Sequence, residues 1–436
     1  MTRAAEGGRA KRVRLDNVND FANIIQPVSF GRTASVDAFG RLRVSNPLTL
    51  HDAQFTAGGL LPQLYEQSTA GNGAITLDTD KSEVQLATDG ANADEAIFQS
   101  RAYHRYQPGK SQLLYLTGNI GENAGDNLTL EIGYADANDG ILFQNINGVM
   151  AITLRSSTTG AVTEDSYVQT SWNVDQFDGT GPSGITIDFT KSQLFALDLE
   201  WLSVGQVRTG FVIDGVLYYA HAFNNANTRS GAYMRVANLP IRYRIVNTAA
   251  GDAGVLTCIC HSVISEGGFV RQLGFPFSAS NGATTISVTT RRPILSIRPR
   301  ATFNSLVNRA RIIPEVASVY SEDAALFVEV VFGGALTNAS FANLDATYSA
   351  TEIDVAATAI SGGIVIKSFI VAAGGLGANI TPEADSEPLI SRLPLALDIS
   401  GSHPTSPLTD NLSIVATSVA GGATDVSASL DIRELQ

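Results

Sequence analysis

Between Phe195 and Phe223 the chain reads FALDLEWLSVGQVRTGFVIDGVLYYAHAF, with apolar and polar positions alternating at a period of two. Phe195, Leu197, Leu199 and Trp201 share one parity, and Asp198 and Glu200 take the other. Successive side chains of a strand point to opposite faces, so this run predicts a strand with one dry and one wet face. A turn around Gly205 comes after it. Val207, Thr209, Phe211 and Ile213 then repeat the alternation, with Arg208 outward. Asp214-Gly215 is next and signals a hairpin, because both central residues of a type I′ turn need positive φ. The third run, Val216 to Phe223, places Leu217, Tyr219 and Phe223 on one face. Three antiparallel strands with one apolar face must cover it with a second sheet, so the pattern predicts a β-sandwich.

The same periodicity recurs along the chain. Ser111 to Leu116, Leu128 to Tyr134, Ile152 to Arg155 and Arg242 to Ile245 read as further strands, separated by turns rich in Gly and Asn. Their number and spacing predict a jelly roll over residues 51–265. Residues 266–310, rich in Gly, Ser, Arg and Pro, read as a linking segment. From 311 to 436 the alternation returns in Leu326/Val328/Val330/Phe332, Ile364/Ile366/Ser368/Ile370, Leu412/Ile414/Ala416/Ser418 and Val426/Ala428/Leu430/Ile432. That stretch has the size of an immunoglobulin-like or second jelly-roll sandwich. Its prolines (Pro382, Pro388, Pro394, Pro404, Pro407) belong in loops, since proline removes a ladder donor.

Composition agrees with an all-β chain of more than one domain. At 436 residues it exceeds the ~250–300 at which a single core stops growing. Charged residues make up only 16% and Gly numbers 40, a poor mixture for helices. The net charge of −13 argues against a nucleic-acid partner, which calls for a clustered basic face. No run of ~18 apolar residues and no leading signal segment is present, so membrane insertion is not expected. The two cysteines, Cys258 and Cys260, lie at i and i+2 and are expected as buried, unbridged thiols.

Residues 1–50 differ in character from the rest of the chain. Arg9, Lys11, Arg12 and Arg14 cluster in an otherwise acidic sequence, beside the flexible Gly7-Gly8. This reads either as a solvated tail or as an arm that anchors on an acidic partner surface. Next comes Asp37-Ala38-Phe39-Gly40-Arg41-Leu42-Arg43-Val44-Ser45, and LHDAQF lies shortly after it. Further on, Arg291-Arg292-Pro293-Ile294-Leu295-Ser296-Ile297-Arg298-Pro299 leads into Thr302-Phe303-Asn304, Asn308-Arg309 and Ile312-Ile313-Pro314, and then to Thr358-Ala359-Ile360-Ser361-Gly362-Gly363. These phrases resemble a group of tailed-phage virion proteins, many of them from phages of marine bacteria. The resemblance touches both ends and the middle, and no catalytic motif belongs to it. It implies a virion localisation and a structural role: a tail, fibre or outer-particle component, or alternatively a capsid decoration or head-fibre protein. Its partners would be other virion proteins and copies of itself, with a trimer expected. Removing residues 1–45 is expected to leave a folded protein that no longer joins the particle. A second resemblance, in the order of Trp201, Phe211–Ile213 and Asp214-Gly215-Val216-Leu217, is to lectin-like sandwiches of the concanavalin and laminin-G type. It implies contact with host surface glycans.

Candidate chemistry is sparse. Asp136-Ala137-Asn138-Asp139-Gly140 and Asp16-Asn17-Val18-Asn19-Asp20 offer oxygen ligands but lack the later bidentate Glu of a calcium loop. Asp and Asn are ordinary turn residues. His261 beside Cys258 and Cys260 falls short of four zinc ligands, and the other histidines (His51, His104, His221, His403) stand alone in sequence. No cofactor or metal is expected. Glycoside cleavage needs two carboxylates ~5–9.5 Å apart. Asp175, Asp178 and Asp188 around a Gly-rich loop, or Asp198 and Glu200 on the wet face, could supply them in a polysaccharide depolymerase. Wet strand faces carry such acids routinely, and the expectation is a non-enzyme. That loop leads into no helix, so it has no phosphate-cradling N-terminus. Aromatic residues near turns, Trp172, Phe177 and Tyr233 with Tyr167 and Tyr243, are candidates for stacking on sugar rings, the other reading being core.

Overall fold

The computed structural model describes residues 36–40, 42–43, 46–56, 59–62, 64–121, 125–268, 274–308, 310–374 and 411–435. The basic cluster Arg9, Lys11, Arg12 and Arg14, the Asp16–Asp20 stretch and the proline-bearing loop from 382 to 407 lie outside them. The chain is all-β. Among the described residues the one helical element is a single 3₁₀ turn, Gln169–Ser171.

Fifteen strands form the first unit. They are β1 (Leu48–Gln54), β2 (Tyr65–Ala70), β3 (Ala74–Asp78), β4 (Glu83–Thr88), β5 (Glu95–Ser100), β6 (Ser111–Asn119), β7 (Leu128–Ala135), β8 (Gly140–Ile146), β9 (Val149–Ser156), β10 (Thr163–Val168), β11 (Gln193–Leu199), β12 (Val207–Ile213), β13 (Val216–Phe223), β14 (Ile241–Asn247) and β15 (Gly254–Glu266). One sheet runs β13-β12-β11-β6-β15-β4-β3, with β1 joining β15 as an eighth strand. The other has seven strands, β10-β9-β8-β7-β14-β5-β2. All pairs are antiparallel, so each sheet can bury one face and leave the other to water or a cover.

The predicted meander is β11-β12-β13. Asp214 and Gly215 take φ of 53° and 78°, the pair of positive values a type I′ hairpin requires. One detail departs from simple alternation. The register slips between Thr209 and Gly210, so Phe211 faces Tyr218 while Gly210 faces Tyr219. A bulge adds one residue and reverses the faces beyond it. Tyr219 is therefore turned away from Phe223, not alongside it as expected. Gly210 permits the close approach, since a Cβ there would sit 2.0 Å from the Tyr218 carbonyl oxygen.

Phe211 is the hub of the first core. Phe177, Phe143, Phe195, Phe189 and Trp172 surround it with ring centroids 5.3–6.0 Å away. Phe143 comes from the seven-stranded sheet and Phe195 from the other, so the rings join the layers. Offset and edge-on geometry satisfies the ring quadrupoles while burying large apolar area.

The second unit contains β16 (Phe275–Ser280), β17 (Ile286–Val288), β18 (Arg292–Pro299), β19 (Thr302–Phe303), β20 (Leu306–Val307), β21 (Arg311–Ser321), β22 (Leu326–Phe332), β23 (Ala335–Thr337), β24 (Ala342–Asn343), β25 (Thr351–Asp354), β26 (Ala359–Ser361), β27 (Ile364–Val371), β28 (Leu412–Ser418) and β29 (Thr424–Leu435). Its six-stranded sheet runs β24-β25-β18-β28-β22-β27, and a four-stranded sheet gathers β16, β17 and β21 on β29. Strand pairs β19-β20 and β23-β26 stand beside them. Val426, Ala428, Leu430 and Ile432 pack with Val328, Val330, Ile414 and Ala416 in one core. The stretch read as a linker, 266–310, thus supplies β16, β17 and β18 to this unit. Its prolines and arginines masked the strand pattern: Pro293 sits at a register slip and Pro299 at a strand end, the places where a sheet tolerates proline.

Replacing Phe211 by Ala removes the ring common to these contacts and is expected to cost about 3–5 kcal/mol. Urea denaturation checks this, and a loss below about 1 kcal/mol would show that the core closes over the gap.

Candidate functional site

By alternation the outer face of β11 and β12 is wet, yet Asp198 is 0% and Arg208 only 2% exposed. The cover comes from upstream. Asp37-Ala38-Phe39-Gly40 forms a turn in which the Gly40 amide donates to the Asp37 carbonyl at 2.9 Å, Gly40 taking φ of 76°. An antiparallel bridge between Val36 and Leu42 closes this small strap. Arg208 Nη2 donates to the Val36 carbonyl at 2.8 Å and to Asp198 Oδ2 at 2.5 Å. Tyr219 Oη donates to the same carboxylate oxygen at 2.6 Å, and the Arg208 guanidinium lies 4.5 Å over the Tyr219 ring.

Arg43 ties the strap down. Its guanidinium pairs with Asp198 through Nη2 and with Glu266 on β15 through Nη1, while Nε donates to the Val36 carbonyl at 3.1 Å. Ser111 Oγ donates to the other Glu266 oxygen at 2.8 Å. Burial works against the Arg43 charge, but Asp198, Tyr219 and Glu266 outweigh it and hold its pKa above the ordinary value. Burial raises the Glu266 carboxyl, Asp198 pushes it further, and Arg43 and Ser111 pull it back. Two arginines and two carboxylates thus neutralise one another under cover. Asp198 is a clamp residue rather than a wet carboxylate. The described strap residues within 1–45, 36–40 and 42–43, pack on the first unit.

The seven-stranded sheet carries a second charged strip on its outer face. Arg155 donates to Glu131 at 2.9 Å and to Glu164 at 2.7 Å, Gln144 donates to Glu131 at 2.9 Å, and Arg244 pairs with Glu95 at 2.7 Å. Burial alone would raise the Glu131 carboxyl, but Arg155 and Arg244 hold it below the usual range. Burial drops the Arg242 guanidinium to about 10 even with Glu131 nearby. In the second unit Glu434 accepts from Thr351 Oγ1 at 2.6 Å and from the Ala350 amide at 2.8 Å.

The candidates read as turn carboxylates organise backbone. Asp136 accepts from the Asn138 and Asp139 amides, and Asp139 from Ser157 and the Arg235 amide. Asp175 accepts from the Phe177 and Ser183 amides, Asp178 from Thr180, and Asp188 from Thr190. Glu200 accepts the Gln206 amide at 2.9 Å, and partial burial raises its pKa.

Trp172, Phe177 and Tyr233 are 3%, 0% and 0% exposed and present no face to a sugar. Trp172 and Phe177 pack around Phe211, and Tyr233 Oη donates to the Glu200 carbonyl at 2.9 Å. Large aromatics fill the space between two sheets, and turn proximity in sequence does not bring them to the surface. Tyr243 is likewise buried, whereas Tyr167 on the edge strand β10 is 38% exposed.

Alternation could not show that three histidines meet. His51 on β1, His104 between β5 and β6 in the chain, and His261 on β15 gather in one part of the core. Ring centroids of His51 lie 4.7 Å from His104 and 5.4 Å from His261. The Tyr65 hydroxyl sits between two of them, 2.9 Å from His51 Nε2 and 2.8 Å from His261 Nε2. Cys258 Sγ lies 3.8 Å from His261 Nδ1. No described group of His, Cys, Asp or Glu is arranged to hold a metal ion. Both cysteines are free, Cys258 buried and Cys260 half-buried. One sequence signal for the clamp existed: Asp198 and Arg208 face each other across the β11–β12 hairpin. The strap's Arg43, which pairs with Asp198, lies 155 residues away from it, beyond any local pattern.

No family model and no curated protein matches the chain. Among solved structures it is similar to a protein from Shewanella oneidensis MR-1 (TM-score 0.34, 8% identity, 52% of this chain and 90% of that one). It is also similar to a glycoside hydrolase family 16 endo-glucanase from Bacteroides ovatus (0.33, 12%, 49% and 99%) and to peanut lectin (0.29, 9%, 51% and 98%).

Arg43→Ala leaves Asp198 and Glu266 under the strap with one guanidinium between them. Breaking a buried pair from one side is expected to cost about 3–5 kcal/mol. Arg43→Lys restores charge without the fork and is expected to recover about half of that loss. Thermal melting of the three proteins checks both, and an unchanged melting temperature in Arg43→Ala would show that the strap is decoration.

Proposed function

We propose that this chain is a non-enzymatic structural protein of a tailed-phage particle, assembled as a homo-oligomer on the tail or outer surface. The observation that carries this reading is where the residues of the phage resemblance fall. Several of them build scaffold. Gly40 and Arg43 form and fasten the strap. Ile294, Leu295 and Ile297 lie in the second core. Arg298 pairs with Glu352 at 2.7 Å and stacks 4.0 Å over Phe341. The Asn308 amide bridges the Arg300 and Ala350 carbonyls at 3.0 and 2.7 Å. Residues shared for packing and not for chemistry support a common architecture with a mechanical task.

The disposition of the acids supports the same reading over a depolymerase. Asp198, Glu131 and Glu266 are each held by arginine, and Asp175, Asp178 and Asp188 by backbone amides or hydroxyls. A retaining or inverting pair needs one carboxyl free to give a proton and another free to attack or activate water.

Glycan contact is a second reading, and the exposed ring of Tyr167 favours it. Tyr167 lies on the fully exposed strand β10, its ring braced 4.4 Å from His221. A braced, open aromatic face suits a sugar ring.

Gold-labelled antibody against the chain is expected to decorate purified particles at the tail or outer shell, and native mass spectrometry to give a trimer. Particles free of label, or a monomer that stays monomeric at high concentration, would remove the proposal. On a glycan array the wild-type protein is expected to bind and Tyr167→Ala to lose at least ten-fold. Equal binding by both would exclude Tyr167 as the contact.

A further inference from the structure

β1 is a lightly held strand of its sheet. It pairs with β15 alone and, of its seven residues, only Ala53 is buried. His51 and Ala53 share the inward parity, opposite Val263 and His261. Phe55, just beyond the strand, plugs the core against Tyr65 and Phe98. A strand with few apolar anchors opens at a lower free energy than the core strands. One of its anchors is a titratable ring.

The hydrogen-bond pattern at the Tyr65 hydroxyl has no room for two imidazolium rings. Tyr65 carries one hydroxyl hydrogen, so it donates to one Nε2 and accepts from the other. If both His51 and His261 are protonated, two N–H groups converge on one oxygen and the hydroxyl hydrogen loses its acceptor. The His104 ring lies tilted by 32° against His51 and has Ser100 Oγ 3.4 Å from its Nε2. Other titratable or charged groups facing the cluster are Asp52 on β1, Tyr134 on β7, Tyr243 on β14, Cys258 and Cys260 on β15, and Arg311. Asp52 is the one carboxylate, and it is exposed. Arg311 adds to the unfavourable positive field at His104.

We propose that β1 is an acid-released latch: protonation of the His51–His104–His261 cluster detaches β1 from β15, while the strap fastened by Arg43 and the rest of the sandwich stay folded. Burial lowers all three imidazoles, His51 to about 4 and His104 and His261 well below the ordinary value. Those lowered values fix the sign of the pH effect. Detached, a histidine takes up its proton near pH ~6.5; docked, it resists until far lower. The docked state is therefore fully favoured above about pH 6.5 and weakens as pH falls below it, by about ten-fold per pH unit for each proton taken up. His221, whose pKa is also lowered to about 4, lies on β13 and does not touch the latch.

Hydrogen exchange of the full chain, corrected for intrinsic rates, tests this between pH 7.5 and pH 4.5. Protection at Leu48–Gln54 is expected to fall at least 100-fold, with the amides of β6, β7 and β14 unchanged within three-fold. A His51→Gln/His104→Gln double variant is expected to keep β1 protected at pH 4.5. If that variant does not fold, Asp52→Asn removes the carboxylate that stabilises the docked His51 cation, and release is expected at a pH no lower than in the wild type. The latch is overturned by β1 protection that does not change with pH, by loss of protection across the whole sandwich at once, or by release in the Asp52 variant at a lower pH than in the wild type.

Discussion

A sheet has two faces, and a two-layer sandwich buries one of each pair. The constraint that shapes this protein is what to do with the other face when it carries charge. Asp198 and Arg208 face each other on the outside of β11 and β12, and the strap from Val36 to Arg43 closes over them. Removing water from a carboxylate costs several kcal/mol unless partners replace it. Here the partners are Arg43 and Arg208 against Asp198 and Glu266, with Tyr219 and Ser111 donating as well; three donors converge on Asp198 Oδ2, while Asp198 Oδ1 and Arg208 Nε are buried without a partner. The strap stays because of the charges, and the charges are tolerable because of the strap.

The same arrangement recurs elsewhere. Glu131 is held by Arg155, Arg244 and Gln144, and Glu434 by hydroxyl and amide donors. Carboxylates fixed in this way position strands and loops. Their neutralisation leaves little for proton transfer or nucleophilic attack, which both require a carboxyl group that changes state.

The histidine cluster is a different solution to burying polar groups. Instead of opposite charges, it uses neutral rings sharing one tyrosine hydroxyl. Ion pairs tolerate a fall in pH until the carboxylates protonate, whereas neutral imidazoles fail earlier, near the ordinary histidine range. Two kinds of buried polarity in one sandwich therefore give it regions of unequal acid resistance.

Much of the architecture was written locally. A period of two in Phe195–Trp201 and Val207–Ile213 dictates strands because backbone sterics alternate side chains, and Asp214-Gly215 dictates a turn because positive φ is open to those residues. The all-β class and the strand runs at 326–332, 412–418 and 426–432 come from the same rule. Tertiary structure decided which face each outward residue met. Asp198 looked wet because alternation reports parity and not cover. The 266–310 stretch looked like a linker because its strands are short or contain proline. Trp172, Phe177 and Tyr233 looked available because they neighbour turns, while the space between the sheets drew them in. The meeting of His51, His104 and His261 depended on contacts up to 210 residues apart, and only the folded chain brings His51 and His261 within reach of one hydroxyl.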